Sequence, residues 1–223
     1  MQKLIYVSSV HAIPEQPKGE VITEVSDFSP AQVTGLYAKT KAEATQYVLD
    51  AANCGLNACV VHPSGICGPF DTGRGHVTTL VIDYYKHRLT AAVDGGYDFV
   101  DVRDVADGIL FCCEKGRTGE CYILSNQYFS VKEILDLLDA ITHKGKIKTI
   151  LPAWFVHFTA PLAEAYYKLL RQPPLFTKYS LSTLNSNAVF SHAKATKELG
   201  YQTRAMRQTL TDTVVWLKEH HRI

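Results

Sequence analysis

Apolar residues follow two rhythms along this chain. Short unbroken runs read as strands buried on both faces. They are Lys3 to Val7, Leu56 to His62, centred on Ala58-Cys59-Val60-Val61, and Cys121 to Leu124. Lys148 to Leu151 adds a short fourth strand. Longer stretches read as helices. Tyr37 to Asn53 is rich in good helix formers, and Gly55 stops it after Cys54. A helix is expected from Val105 to Lys115 with Asp104 as its N-cap, because a carboxylate accepts the free amides of a first turn. Ser130 and Glu133 form a capping box for a helix running to about Thr142. Pro152 onward reads as an aromatic-rich helix ending before Pro173-Pro174. Ser191 to Tyr201 is a capped helix stopped at Gly200, and Met206 to His220 puts Leu210, Thr213, Val214 and Leu217 on one face. Between the first strand and the first long helix, Val10 to Gly35 is a loop broken by Pro14, Pro17, Gly19 and Pro30. A connection that long inside a compact domain is usually functional. Strand, loop, helix, strand is a βαβ order and implies parallel strands in an α/β fold.

Composition narrows the classes. A chain of 223 residues suits one large domain, or one domain with a small lobe. The net charge is +1 with no basic block, so nothing points to nucleic acid. Six cysteines include no metal-like pair at CxxC spacing, and most lie in apolar runs, Cys112-Cys113 among them, as reduced core cysteines do. The apolar stretch Leu151 to Leu170 is interrupted by Pro161, Glu164 and Lys168, which suits a buried or lid helix better than a bilayer span. Met1 is followed at once by a strand-like run rather than a signal-peptide pattern, so a cytoplasmic location is expected.

Candidate chemistry begins at Tyr37-Ala38-Lys39-Thr40-Lys41. Four residues make about one helical turn, so Tyr37 and Lys41 share a face. A free phenol gives up its proton only near pH 10. An ammonium one turn away favours the phenolate, which is how a tyrosine becomes a general acid/base. Tyr128 and Lys132 have the same spacing, but Ser130 caps the helix between them and leaves Tyr128 outside it. Ser8-Ser9 ends the first strand, and open α/β sheets bind ligands beyond the carboxyl ends of their strands. A serine pair there also serves simply to begin a turn. His11 lies two residues past Ser9 and faces the same cleft if the strand geometry persists. Pro63-Ser64-Gly65-Ile66-Cys67-Gly68-Pro69 follows the second strand, and its glycines let backbone approach a ligand closely.

Taken together, Val7-Ser8-Ser9, Tyr37-x-x-x-Lys41 and His62 to Pro69 resemble the extended short-chain dehydrogenase/reductase family, also described as the NAD-dependent epimerase/dehydratase family. Family members more often carry Arg at the position of His62 and Tyr at that of Cys67. Gly95 to Ala106 resembles the segment that re-enters the nucleotide domain. The run from Phe190 to Tyr201, with Asp212-Thr213 and Trp216, resembles the dihydroflavonol-reductase and 3β-hydroxysteroid-dehydrogenase branch. The resemblance implies the C-terminal part of a Rossmann-like parallel sheet with a small, mainly helical substrate-binding lobe. Residues 1–125 would be a partial nucleotide-binding domain and residues 126–223 mainly the lobe, interleaved with it. It also implies an NAD(P)-dependent oxidoreductase acting on a carbonyl or alcohol carbon of a small molecule. Ser9, Tyr37 and Lys41 would be catalytic, with Tyr37, Lys41, Pro63, Ser64 and Ile66 against NAD or NADP. Ser9, His11, Phe70 and Tyr97 would line the substrate site. Family members often pair through the Tyr/Lys helix, so a homodimer of the full-length form is implied. The same triad serves nucleotide-sugar epimerases and dehydratases, although dehydratases generally need a further acid/base pair and no Asp-Glu dipeptide occurs here. A non-catalytic binding protein that keeps the half-fold is the other alternative.

Family members open with a strand, a Gly-x-x-Gly-x-x-Gly turn and a helix, which together hold the cofactor pyrophosphate. That element is missing here, and Gly65-x-x-Gly68 and Gly73-x-Gly75 lie on another loop. The chain is therefore expected to be the C-terminal part of a longer enzyme, with an open edge and an uncovered face at its first strand.

Overall fold

The computed structural model describes residues 2–73, 75–152 and 183–223. Most of the aromatic helix expected after Pro152 lies outside the described residues. In chain order the elements are β1 (Leu4–Val7), α1 (Leu36–Asn53), β2 (Ala58–Pro63), β3 (Gly65–Cys67), α2 (His76–Tyr85), β4 (Ala92–Val93), β5 (Gly96–Asp101), α3 (Val102–Lys115), β6 (Cys121–Leu124), β7 (Gln127–Ser130), α4 (Val131–Thr142), β8 (Ile150–Leu151), α5 (Ala193–Leu199) and α6 (Met206–Glu219). β1, β2 and β6 form a parallel sheet in that order, with Leu4 opposite Ala58 and Val60 opposite Cys121. β3 pairs parallel with β5, which pairs antiparallel with β7. β4 and β8 make a small parallel pair.

Strand β2 sits at the centre of the first sheet, and all six of its residues are buried. Successive side chains of a strand point to opposite faces. Cys59 and Val61 pack with Tyr122, Leu124, Val105 and Cys112, covered by Leu199 and Tyr201 at the end of α5. Val60, Cys121 and Ile123 face the other way, toward Ala38, Ala42 and Leu49 of α1 and toward Val10, Ile22 and Phe28 of the long loop. A separate cluster joins α2, α4 and α6 through Val81, Leu138, Leu210 and Leu217. Helix α3, with Leu199 and Tyr201 from beyond residue 125, thus covers one face of the sheet that carries β1. β1 itself is only half-buried, and Val7 at its end is exposed.

Several local expectations change. Part of the expected loop Pro63 to Pro69 is strand: Gly65, Ile66 and Cys67 pair with Phe99, Val100 and Asp101. The cap of α3 is Asp101, whose side chain accepts from the amide of Arg103, so the helix begins three residues earlier than expected. Asp104 is instead buried and holds Arg204, accepting from its backbone N–H at 2.7 Å and from its guanidinium. Of the Cys112-Cys113 pair, Cys112 is buried and Cys113 is exposed. Helix α2 carried no sequence expectation. No helix among the described residues is long and apolar enough to cross a membrane.

Glycine is required at Gly96. A Cβ there would lie 2.6 Å from Ser130 Cα, and would also strike the carbonyl oxygen of Phe129 across the β5–β7 pair. Gly96→Ala is expected to destabilise the fold by about 2 kcal/mol, the scale of an overpacked core, read as a lower urea midpoint.

Two buried titratable groups oppose each other across the acid range. Burial lowers the pKa of His62 from 6.5 to about 4, against the opposing effect of its bond to the Ser9 backbone. Burial raises Asp98 from 3.8 to about 6, against hydrogen bonds from Ser64 and the amide of Asn126. The histidine contribution is complete above 6.5 and is lost as pH falls toward about 4. The aspartate contribution is complete below 3.8 and is lost as pH rises toward about 6. The two slopes largely cancel. In Asp98→Asn only the histidine slope remains, so stability by urea titration should climb between about pH 4.5 and 6.5. The rise should be steeper than in the unaltered protein by up to about 1.4 kcal/mol per pH unit.

Candidate functional site

The carboxyl end of β1 is bonded at three consecutive residues. The Val7 carbonyl accepts from Lys41 Nζ at 2.9 Å. The Ser8 amide donates to the Val61 carbonyl at 2.8 Å, which continues the parallel ladder. The Ser9 carbonyl accepts from the Ala12 amide at 3.0 Å and from His62 Nδ1 at 2.9 Å. Ser9 also caps the short 3-10 turn Val10–Ala12, its Oγ accepting from the His11 amide at 3.3 Å. The chain turns sharply here because Ser9 is extended and its hydroxyl takes a free amide of the turn.

The two serines differ in what they have left to give. Thr45, one turn beyond Lys41, donates its hydroxyl proton to the Lys41 carbonyl at 2.7 Å. A hydroxyl has one proton, so at the 2.7 Å contact between Ser8 Oγ and Thr45 Oγ1 it is Ser8 that donates. The Ser8 hydroxyl is thereby committed to helix α1. The Ser9 hydroxyl accepts from His11, and its own proton has no acceptor among the described residues.

Three rings gather beside this turn. His11 stacks on Tyr97 with centroids 5.8 Å apart, and its Nε2 lies 3.3 Å from the Tyr97 hydroxyl. Tyr37 meets the same imidazole edge-on at 6.0 Å. Tyr97 is buried, whereas Tyr37 is 48% exposed, so the phenol of Tyr37 is open to an incoming molecule. Burial lowers the His11 pKa, partly offset by Glu15. Lys41 Nζ also stands 5.4 Å from the Tyr6 ring centroid, a cation–π distance. Burial, with a smaller contribution from Tyr37, raises the Tyr6 pKa.

The segment after β2 is placed by Asp98. The Ser64 amide donates to the Leu124 carbonyl at 3.2 Å, and its hydroxyl donates to Asp98 Oδ1. The Asn126 amide donates to the same oxygen at 3.0 Å. The Ser64 side chain is therefore turned into the protein, while Ile66 stands 48% exposed at the strand ends. Phe70 lies elsewhere: its ring meets Trp216 of α6 edge-on at 6.3 Å. Ser9, His11, Tyr37 and Tyr97 are thus linked by direct contacts, Lys41 reaches the strand end through Val7, and Phe70 is joined to none of them by a described contact. Thr45, His62, Asp98 and Asn126 were not among the sequence candidates: His62 and Asp98 meet Ser9 and Ser64 far along the chain, Thr45 reaches back to Ser8, and Asn126 bonds Asp98. The position of His62 directly before Pro63 was the one available signal.

Val7 and Ile66 are apolar side chains left exposed on β1 and β3. The glycine-containing turn before α2 does not suit a phosphate. Its Gly73 and Gly75 amides already bond the Asp71 carboxylate at 2.9 and 2.6 Å. Burial raises Asp71, but these bonds and one from Thr78 outweigh it and hold the carboxyl low. No cluster suited to a metal ion occurs among the described residues.

The sequence profile of the NAD dependent epimerase/dehydratase family matches residues 1–125. The chain is 28% identical to sterol demethylase protein B of Methylococcus capsulatus, over 98% of this chain and 67% of that protein. It is also 28% identical to 3beta-hydroxysteroid-dehydrogenase/decarboxylase isoform 1 of Arabidopsis thaliana, over 90% of this chain and 49% of that protein. The crystal structure of gox2253 superposes with a TM-score of 0.82 at 30% identity, covering all of this chain and 68% of that one. The chain therefore spans about two thirds, or less, of the relatives it matches. With a match over more than half its length and a Rossmann-like sheet in the structure, the chain belongs to the NAD dependent epimerase/dehydratase family, among the extended short-chain dehydrogenases/reductases.

Proposed function

We propose that this chain carries the catalytic end of an NAD(P)-dependent oxidoreductase acting at a carbonyl or alcohol carbon of a small molecule. The observation that supports this most is His11. Its amide bonds Ser9 Oγ and its ring meets Tyr37, so the turn that carries the serine and the helix that carries the phenol converge on one residue.

In this reading the substrate oxygen lies between the Ser9 and Tyr37 hydroxyls. Ser9 is the serine suited to bind it, because its proton is uncommitted among the described residues. Tyr37 transfers the proton to that oxygen in reduction and takes it back in oxidation. Lys41 supplies positive charge to the phenolate that remains. An ammonium has three donors, and only one is used on Val7. A second donor is left to the nicotinamide ribose. When bound, the nicotinamide supplies or accepts the hydride. Pro63, Ser64 and Ile66 are the residues that would hold that ring. His11 and Tyr97 form the substrate wall next to Ser9.

A dehydrogenase or reductase is preferred to an epimerase because an Arabidopsis relative is named as a hydroxysteroid dehydrogenase. The reading includes a cytoplasmic location and a homodimer through α1, on which Leu36 and Tyr47 are exposed.

Tyr37→Phe should lower NAD(P)H-dependent carbonyl reduction by about a hundredfold to ten-thousandfold, the usual weight of a general acid. The circular-dichroism spectrum should be unchanged. Near-normal turnover in that variant would remove Tyr37 from the chemistry. Fluorescence titration with NADH and NADPH should show saturable binding that weakens in Lys41→Met. Equal affinity in the two proteins would contradict the ribose contact.

A further inference from the structure

We infer that His62 is a positioning residue for the candidate site: its neutral imidazole, protonated at Nδ1, clamps the Ser9 carbonyl and so holds the turn that presents Ser9 and His11. The inference rests on the reading of Ser9 given above for its catalytic consequence, but not for its geometry.

His62 belongs to the face of β2 that carries Val60, toward the long loop rather than toward α3. It is fully buried, and its ring stacks on Phe28 with centroids 5.1 Å apart and planes 9° from parallel. Phe28 is itself held there, its amide donating to Gln46 Oε1 at 2.8 Å. The ring is therefore fixed in plane, with Nδ1 2.9 Å from the Ser9 carbonyl oxygen. A carbonyl oxygen only accepts, so Nδ1 must carry the proton. Nε2 has no partner among the described residues. A second proton there would bury an unpaired charge, which is strongly disfavoured. Lys41 and Lys194 add to that penalty by electrostatic repulsion. The neutral Nδ1–H tautomer is thus the form that this geometry supports.

The Ser9 carbonyl accepts the Ala12 amide that closes the first turn of the 3-10 segment, and His62 supplies its second donor. A carbonyl oxygen has two lone pairs, so both bonds form together. The turn is short and starts from an extended residue. Without the imidazole the Ser9 carbonyl keeps only the Ala12 bond, and the turn is left to that bond, the His11 amide on Ser9 Oγ and the Ile13 amide on the Val10 carbonyl. The Ser9 hydroxyl and the His11 ring, both carried by this turn, would then lose their fixed relation to Tyr37.

The tautomer tests this directly in the unaltered chain by long-range imidazole nitrogen–proton NMR correlation. The expected pattern is a protonated Nδ1 and a bare Nε2, unchanged from about pH 6 to 8. A bare Nδ1 would overturn the inference. Amide exchange at Ala12 is the second measurement. In His62→Leu the Ala12 amide should exchange about tenfold faster, the scale of one lost hydrogen bond. In His62→Asn the side-chain amide restores a donor near the Nδ1 position, and exchange should return toward the original rate. An unchanged Ala12 rate in His62→Leu would refute the clamp. Carbonyl reduction should follow the same order, with kcat lowered in His62→Leu at unchanged cofactor KM and regained in His62→Asn. Wild-type turnover in His62→Leu would refute the positioning role. If no variant and no unaltered protein turns over substrate, the functional reading fails, while the tautomer and exchange measurements still decide the clamp.

Discussion

The Val7 carbonyl, the Ser8 amide and the Ser9 carbonyl are consecutive polar groups at the end of β1, and each is bonded by a different neighbour. Lys41 comes from α1, Val61 from the main chain of β2, and His62 from the next residue along β2. A strand normally frays where its ladder ends, because its last carbonyls lose their partners. Here they keep them. The end of β1 becomes a fixed platform, as the proposed proton transfer requires, since a displacement of about 1 Å is enough to lose much of the rate. Ser8 is spent on this scaffold through Thr45, which leaves Ser9 as the serine whose hydroxyl proton has no acceptor among the described residues.

Two buried titratable side chains, His62 on β2 and Asp98 on β5, make demands that differ in sign. His62 is kept neutral and Asp98 is hard to ionise, both chiefly because of burial. Each ties a strand end to the next segment: His62 holds the turn after β1, and Asp98 holds Ser64 after β2 and Asn126 after β6. Polar groups buried in this way cost stability unless they are bonded. The return is placement, because three strand ends are fixed in relation to one another by side chains. At the N-terminus of α3, Asp101 does comparable work. It accepts from Arg103 and from Thr209 of α6, while Arg103 also pairs with Asp212. The C-terminal helix is thereby held to the helix that follows β5.

The pieces that could be read from the chain were those whose signal is local. Cys121 to Leu124 is a strand because four apolar residues lie between breakers, and Ser130 with Glu133 caps α4 as expected because a capping box is built from residues three apart. Pieces set by distant partners were misread or missed. Ile66 looked like loop because its pairing partner, Val100, is far along the chain. Asp104 looked like a cap because a carboxylate accepts the free amides of a first turn, and only the fold gives that place to Asp101 and turns Asp104 to Arg204. Cys113 looked as buried as Cys112, yet neighbouring residues on a helix point about 100° apart and only one of them meets the sheet.

The sequence by itself determined the alternation of strand and helix, the hydroxyl pair at the end of β1, and the one-turn spacing of Tyr37 and Lys41. It did so because propensity, capping and helical period act over a few residues. Only the tertiary structure decided which serine keeps its proton, that His11 lies between Tyr37 and Tyr97 while Phe70 goes to Trp216, and that His62 and Asp98 hold the strand ends. Those outcomes depend on which side chains are brought within about 3 Å across loops of tens of residues. Burial then strengthens each such bond by removing the water that would otherwise compete for it.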